Sequence, residues 1–323
     1  MSAGTDLVIQ TERKQAQMRK FRTAVVAGVA VALFALSACA GQASKDKEEA
    51  DKKKEEVGDY VMEQDKDVPE GLLADAVKDG KLVVGVKPDQ PLIGEKKGST
   101  YEGFDIEMAK LLGMRLFGKG GEEKVEFKET TSDNREAFLN SGEVDVVIAS
   151  YSMYPDRVKQ FSFAGPYLFT GQNALVSAEN KDIKTIDDLA GKKVCIAKGS
   201  GSIDNLKKEN PKAKIETRAN YGDCAAQVKD GTFDAVSTDE TILYGYKSQD
   251  KEAFRILDSS ENFTDEPYGI GMKKGNDAAK DYINEMIKAA YENEDWDKAF
   301  ELTFGAAGME KPEYPEIGKI TSD

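Results

Sequence analysis

Short apolar runs alternate with stretches of helical periodicity along most of the chain. LVVGV at 82–86 contains no polar side chain and predicts a buried strand, whereas the apolar residues at 104, 108, 111, 112 and 116 share one helical face. A strand at 124–130, a short helix at 134–140 and an apolar strand at 144–150 follow. The order βαβαβ is typical of α/β proteins.

The same alternation returns after Phe169. Predicted helices at 185–189, 202–208 and 224–229 are interleaved with predicted strands at 193–197, 214–219 and 233–238. Two α/β units in tandem predict a cleft between two lobes. We expect the closing helices, 278–292 and 295–303, to pack back on the first unit.

The N-terminal residues have a different pattern. Arg19, Lys20 and Arg22 precede a charge-free apolar run, 24–38, that ends in Leu-Ser-Ala-Cys. This run is shorter than the ~20 residues of a membrane-spanning helix, and it predicts a signal peptide over residues 1–38. An incidental cysteine after an ordinary signal peptide is one interpretation. The other is a lipoprotein signal, because Leu-Ser-Ala-Cys resembles the bacterial lipobox, which makes Cys39 the lipidated first residue.

A highly charged stretch follows. Residues 45–56 mix both signs of charge and offer no apolar stripe to bury. Such a segment stays solvated. We therefore assign residues 39–67 to a charged tether that holds a folded body away from a surface.

The composition excludes several chemistries. The 323 residues include no histidine and carry a formal net charge of −14. Without histidine the chain can form neither a Ser-His-Asp triad nor a His-ligated zinc site, and its charge would repel DNA or RNA. We expect no cofactor, no metal and no nucleic-acid partner.

The segment GFDIEMAKLLG at 103–113 resembles the signature of the polar amino-acid family of bacterial extracellular solute-binding proteins. The segments TTSDNREAFLNSGEVDVVIASYSMYPDR and FDAVSTDE agree in order and spacing. Within that family the chain is similar to the glutamate-binding lipoproteins of Gram-positive ABC uptake systems. The resemblance implies an α/β, two-lobed periplasmic-binding-protein type II fold with two hinge crossings, in which lobe 1 comprises 68–165 and 268–323 and lobe 2 comprises 166–267.

A free amino acid brings an α-carboxylate and an α-ammonium group, and burying either requires a partner of opposite charge. Arg157 can hold a carboxylate through two parallel hydrogen bonds, although the sequence alone also allows a surface arginine in a turn. The resemblance implies that Arg157 holds the α-carboxylate and Asp239 the α-ammonium. The alternative for Asp239 is a helix N-cap.

Loop residues around these charges are further candidates. The resemblance implies that Ser150 and Ser152 hold the ligand backbone, although loop serines are often only turn formers. Ser200 and Gly201 connect a strand to a helix start, where backbone N–H groups can meet the same carboxylate. Most aromatic residues between 151 and 167 should be core, while Tyr151 or Tyr154 is a candidate to cover the ligand.

Two cations bear on the ligand side chain. Lys87 follows the first strand, where ligand crevices open, and relatives specific for basic or neutral amino acids tend to carry an acid there. Arg135 aligns with a position that contacts the distal carboxylate in binders of acidic amino acids. Either residue could instead be a solvated surface cation. Together they favour glutamate or aspartate over glutamine, with Lys198 as a third candidate.

Two cysteines remain once Cys39 is assigned to lipid. Cys195 and Cys224 form an even pair in an exported protein, which predicts a disulfide. Two buried thiols are the alternative.

We expect a monomeric substrate-binding lipoprotein on the extracellular face of the cell membrane, attached through its lipid alone. It would capture glutamate, or aspartate, between closing lobes and deliver it to an ABC permease and ATPase complex. The alternatives are the same fold binding glutamine or another polar amino acid, and a sensor that does not transport. Asp89, Glu107 or Glu240 could be imagined as an acid/base pair, but no pair stands out, so we expect no catalysis.

Overall fold

The computed structural model describes residues 60–320. The strands are, in chain order, β1 (Leu82–Val86), β2 (Asp89–Gln90), β3 (Gly94–Lys97), β4 (Thr100–Glu102), β5 (Val125–Glu129), β6 (Val146–Val147), β7 (Phe161–Thr170), β8 (Gln172–Ser177), β9 (Lys193–Ala197), β10 (Lys214–Arg218), β11 (Ala235–Asp239), β12 (Phe254–Ile256) and β13 (Glu266–Lys273). The α-helices are α1 (Leu72–Asp79), α2 (Phe104–Phe117), α3 (Arg135–Ser141), α4 (Pro155–Gln160), α5 (Ser202–Glu209), α6 (Tyr221–Lys229), α7 (Glu240–Gln249), α8 (Asp277–Glu292) and α9 (Asp295–Phe300).

Two five-stranded sheets form the two lobes. The strand order is β5-β1-β6-β13-β7 in lobe 1 and β10-β9-β11-β8-β12 in lobe 2. In each sheet the first three strands are parallel and the others join antiparallel. A small sheet, β2-β3-β4, lies between β1 and α2 in the chain and belongs to lobe 1. The predicted two-lobed α/β fold is confirmed.

A glycine fixes the start of α2, the helix of the GFDIEMAKLLG segment. Gly103 has φ of 121°, and a Cβ added there would lie 2.4 Å from the backbone of Ile93. Only glycine tolerates both conditions. The helix then starts close against the small sheet, where the Phe104 N–H donates to the Leu92 carbonyl at 2.8 Å, and it turns Asp105 into the protein interior.

The chain crosses between the lobes twice. Strand β7 ends at Thr170 in the lobe 1 sheet, and β8 starts at Gln172 in the lobe 2 sheet. Strand β13 returns to lobe 1 and pairs antiparallel with β7, from Glu266 opposite Thr170 to Lys273 opposite Phe161. The two crossing strands therefore lie side by side.

The closing helices pack on lobe 1, as the pattern predicts. The Trp296 ring of α9 lies edge-on to the Phe104 ring of α2, with centroids 5.4 Å apart. Its indole N–H donates to the Tyr167 carbonyl at 2.7 Å. Lobe 1 is thus assembled from two separate stretches of chain.

Residues 60–67, which the sequence assigns to the tether, lie against lobe 1. Met62 is buried, the Tyr60 hydroxyl donates to Glu107 at 2.8 Å, and Arg115 pairs with Asp65 at 2.7 Å. One methionine among charged residues has no periodicity, so the pattern did not reveal this contact. The signal peptide, Cys39 and the tether up to residue 59 lie outside the described residues.

Strand β6 is much shorter than predicted. The apolar pattern spans 144–150, but only Val146 and Val147 are in the strand, and the chain then turns so that Ser150 adopts φ of 43°. The pattern also did not predict the small β2-β3-β4 sheet or helix α7. Within residues 60–320, no helix combines the length and the apolarity needed to cross a bilayer.

Candidate functional site

The carboxyl ends of β5, β6, β9 and β11 meet between the lobes, where ligand crevices form in α/β proteins. A narrow cavity lies there. All the predicted ligand-binding residues except Lys87 and Lys198 line it. The lining residues are Ser132, Arg135, Ser150, Ser152, Tyr154 and Arg157 from lobe 1, and Ser200, Gly201, Ser202, Tyr221, Thr238, Asp239 and Ile242 from lobe 2.

Arg157 lies in α4, just after the proline that starts this helix. Its Nη1 donates to the Ser152 carbonyl at 3.1 Å. Its guanidinium carbon lies 4.9 Å from the ring centroid of Tyr151 and 4.5 Å from that of Tyr154. These contacts hold the guanidinium at the cavity wall, so Arg157 is not a surface arginine in a turn.

Asp105 of α2 fixes the loop that carries Ser150. The Ser150 N–H donates to the Asp105 carboxylate at 2.7 Å, and the Tyr167 hydroxyl donates to its other oxygen at 2.6 Å. Burial raises the pKa of Asp105 to about 6. The carboxylate thus joins the binding loop to the crossing strand β7, a role that the sequence did not suggest.

Ser152 belongs to the same loop and forms an isolated β-bridge with Tyr268 of the second crossing strand. Its neighbour Tyr154 lines the cavity and also an open groove outside it. The Tyr154 ring lies so close to Gly201 that an added Cβ would be 2.1 Å from it. Of the two candidate covering tyrosines, Tyr154 therefore forms a wall between the cavity and the outside, whereas Tyr151 is packed in the core.

Lobe 2 contributes the loop between β9 and α5. Ser200 accepts a hydrogen bond from the Tyr221 hydroxyl at 2.9 Å, and its own hydroxyl lies 3.1 Å from the Ser202 hydroxyl. Tyr221 starts α6, and nothing in the sequence pattern marked it. Its position after the carboxyl end of β10 is the signal that could have identified it.

Asp239 ends β11 and is the N-cap residue of α7, but its side chain makes no hydrogen bond to the helix N-terminus. Instead it accepts the Tyr268 hydroxyl at 2.5 Å. Burial, together with the neighbouring Glu266, raises the pKa of Asp239 well above its ordinary value. Asp239 thus occupies the N-cap position without capping the helix, and its buried carboxylate faces the cavity.

Lys87 and Arg135 are both buried, so neither is a solvated surface cation. Lys87 lies behind the cavity wall, where its amine donates to Ser132 at 2.7 Å. Arg135 donates Nη1 to the Ala149 carbonyl at 2.9 Å, and its Nε has no partner among the described residues. Burial is the main cause that lowers the pKa of Lys87 to about 7, and the positive charge of Arg135 is the second. In the same way, burial and then the positive charge of Arg157 lower the pKa of Arg135 to about 10.

Lys198, the third candidate, lies elsewhere. Its side chain is exposed and pairs with Asp133 of lobe 1 at 3.0 Å. Lys198 is absent from the cavity lining. It therefore forms an ion pair across the rim of the cleft.

Glu266 is a further buried carboxylate that the sequence did not single out. It starts β13 and accepts the Tyr154 hydroxyl at 2.7 Å and the Asn205 amide at 2.9 Å. Tyr154 belongs to lobe 1 and Asn205 to α5 of lobe 2. Both lobes are thus bound to one carboxylate on a crossing strand.

The sequence was compared with the models of known protein families and with known proteins. Residues 82–306 match the model of bacterial extracellular solute-binding proteins, family 3. The chain belongs to this family. The solute-binding protein is 35% identical to the glutamate-binding protein GluB of Corynebacterium efficiens over 69% of its own chain and 78% of that protein. It is 38% identical to the ABC transporter glutamine-binding protein GlnH of Bacillus subtilis over 66% of its own chain and 77% of that protein.

Solved structures agree on the fold. The solute receptor for L-cysteine of Neisseria gonorrhoeae matches with a TM-score of 0.68 and 25% identity, over 73% of this solute-binding protein and 94% of that chain. An ancestral amino acid-binding protein, a precursor of cyclohexadienyl dehydratase, matches with a TM-score of 0.65 and 32% identity, over 72% of this solute-binding protein and 100% of that chain.

The three carboxylates considered for an acid/base pair have partners of their own and lie outside the cavity. Asp89 accepts the backbone N–H of Tyr221 at 3.0 Å, Glu107 pairs with Lys110 at 2.7 Å, and Glu240 accepts the Asn262 amide at 2.8 Å. All three are absent from the cavity lining.

Proposed function

We propose that this protein captures L-glutamate between its lobes and delivers it to an ABC permease. The family establishes an extracellular solute-binding protein, and the choice of glutamate rests on the charges behind the cavity. Lys87 and Arg135 are buried, and among residues 60–320 their hydrogen bonds go to neutral oxygens of Ser132, Ala149 and Ser150 rather than to a carboxylate. This is the observation that carries the proposal.

Buried cations without a counter-ion are unfavourable. A ligand with a distal carboxylate would supply the missing negative charge, and the unpartnered Nε of Arg135 is a donor in the same region. A carboxylate has only acceptors and is suited to such donors. A neutral side chain would bring no negative charge to this region.

The backbone of the ligand would be held by groups on both sides of the cleft. Arg157, with Ser150 and Ser152, would bind the α-carboxylate from lobe 1, together with the loop at Ser200 and Gly201 from lobe 2. Asp239 would bind the α-ammonium. Because these groups come from both lobes, the closed arrangement is the one that satisfies the ligand, and ligand binding favours closure.

Glutamine is the second candidate, and two observations favour it. GlnH of Bacillus subtilis and the glutamine-binding protein of Geobacillus stearothermophilus are 38% and 41% identical to this chain. In addition, the pKa of Lys87 is lowered to about 7, so its amine is partly neutral near pH 7 and can accept a hydrogen bond from an amide.

Calorimetry with L-glutamate, L-aspartate and L-glutamine tests the choice. We expect the double variant Lys87→Ala/Arg135→Ala to weaken glutamate binding by more than ~100-fold, as expected for an unpaired buried charge, and glutamine binding far less. Lys288→Ala is the control, because this exposed lysine pairs with Glu285 within its own helix α8, and it should leave both affinities nearly unchanged. Equal losses for glutamate and glutamine in the double variant would refute the proposed role of the two cations.

The remaining parts of the proposal rest on the sequence. Residues 1–38 would be removed, Cys39 lipidated, and the charged segment that follows would tether a monomer to the extracellular face of the membrane. Neighbouring permease and ATPase genes would support transport, and their absence would favour a sensor. Mass spectrometry of the mature N-terminus tests the lipid directly.

A further inference from the structure

Asp89 connects the two lobes without lining the cavity. It lies in β2, part of the small sheet of lobe 1, and one carboxylate oxygen accepts the backbone N–H groups of Tyr221 and Gly222 at 3.0 and 3.1 Å. Both N–H groups belong to the first turn of α6 in lobe 2. The Tyr246 hydroxyl, from α7 of lobe 2, donates to the Asp89 carbonyl at 2.6 Å.

The first turn of a helix has N–H groups without helical partners and a partial positive charge, so it is favourable for a carboxylate. The carboxylate that accepts from these N–H groups usually belongs to the same helix. Here the carboxylate of Asp89 comes from lobe 1 and the helix belongs to lobe 2, so the contact can exist only when the two lobes are together.

The residue held by this contact lines the ligand cavity. Tyr221 donates its backbone N–H to Asp89 and its hydroxyl to Ser200 at 2.9 Å, and both Tyr221 and Ser200 line the cavity. On the lobe 1 side, the neighbouring Gln90 accepts from the hydroxyl of Ser150, another lining residue, at 3.0 Å. Asp89 therefore lies between the two halves of the cavity wall.

We propose that Asp89 is a positioning residue for ligand binding, which fixes Tyr221 against the cavity and stabilises the closed lobes. This inference rests on the proposed capture of an amino acid between the lobes. The measured affinity of a ligand depends on how readily its binding-competent conformation forms. Removing the Asp89 contact raises the free energy of the closed conformation only, so affinity falls although no atom that touches the ligand has changed.

The test compares Asp89→Asn and Asp89→Ala with the wild-type protein. We expect L-glutamate to bind at least ~10-fold more weakly to either variant, the effect of losing a charged hydrogen bond, and to dissociate faster. The melting temperature without ligand should stay within about one degree of the wild-type value, because the contact is absent when the lobes are apart.

Asp145→Ala is the matched control, because the Asp145 carboxylate accepts the Val83 backbone N–H at 2.8 Å inside lobe 1 and alanine has no acceptor. This variant should lower the melting temperature with and without ligand alike and leave the affinity unchanged. Wild-type affinity in both Asp89 variants, or an equal loss of melting temperature with and without ligand, would overturn the proposed role of Asp89. If the wild type binds L-glutamine and not L-glutamate, the proposed ligand is wrong, and the same comparison with L-glutamine still decides the role of Asp89.

Discussion

The hydroxyl of Tyr268 donates to the carboxylate of Asp239 at 2.5 Å and joins a crossing strand to the end of a lobe 2 strand. The Tyr268 ring also contacts the Tyr167 ring of the other crossing strand, with centroids 6.3 Å apart. Tyr167 in turn donates to Asp105. Each crossing strand thus supplies one tyrosine to one buried carboxylate, and the proposed anchor of the ligand ammonium is bonded directly to the hinge.

Tyr268→Phe should weaken ligand binding by about 10-fold, since a hydrogen bond to a charged group contributes roughly 1.5–3 kcal/mol. Without it the Asp239 carboxylate is harder to ionise and less precisely placed. Tyr291→Phe is the control, because its hydroxyl donates to the Pro166 carbonyl at 3.3 Å in lobe 1. Titration calorimetry that finds equal affinities for the two variants would contradict a role of Tyr268 in binding.

Asp105→Asn should change how stability depends on pH. Burial raises the pKa of Asp105 from 3.8 to about 6, so the folded protein keeps this proton at pH values where the unfolded chain has lost it. The stability contributed by the protonated group is full below pH 3.8 and is lost as pH rises to about 6.

We therefore expect the stability of the wild type relative to Asp105→Asn to fall by about 3 kcal/mol across this pH range. Urea unfolding at several pH values measures it. Asp281→Asn, an exposed residue of α8, should show no such change. A constant difference between the wild type and Asp105→Asn would mean that the pKa of Asp105 is the same in the folded and unfolded states.

The pattern of apolar residues correctly predicted strands and helices that bury one continuous face. LVVGV became β1 because its alternating residues Leu82, Val84 and Val86 are all fully buried, and α2 agrees with its predicted span to within one residue at its C-terminal end. The same pattern failed at β6, because a run of apolar residues can be buried in a turn as well as in a strand. The chain turns after Val147, and Ser150 then lines the cavity.

The residues of the site also fall into those that the sequence indicated and those that it did not. The positions of Arg157 and Asp239 at the cavity followed from the family resemblance, because each lies in a segment that matches the family next to a strand end. The burial of Lys87 and Arg135 could not be predicted, since it depends on packing between distant segments. Tyr221, Tyr268 and Glu266 gave no signal for the same reason: their partners are far away in the sequence.

Lys87 should make glutamate binding depend on pH. Its pKa is lowered to about 7, first by burial and then by the charge of Arg135, and a distal carboxylate beside it would raise that pKa again. Binding above pH 7 must then take up a proton, so the affinity for glutamate should fall from pH 7 to 8.5, by at most ~10-fold per pH unit. Glutamine has no distal charge and should show little change.

Calorimetry in two buffers of different ionisation enthalpy counts the proton directly. We expect up to one proton taken up per glutamate, and none in Lys87→Met. Lys198→Met should behave as the wild type, because this lysine is exposed at the rim. Proton uptake that persists in Lys87→Met would assign it to another group.

The disulfide between Cys195 and Cys224 should support both stability and binding. It joins β9 to α6, with Cα atoms 5.4 Å apart and a sequence separation of 29. Closing a loop of that size stabilises a protein by about 3–4 kcal/mol on the chain-entropy model, so Cys195→Ala/Cys224→Ala should lose about that much in urea unfolding. Reductant should lower the stability of the wild type only. Because α6 also positions Tyr221, we expect the double variant to bind its ligand more weakly even where it is fully folded, and unchanged affinity would show that Asp89 alone suffices to hold this helix.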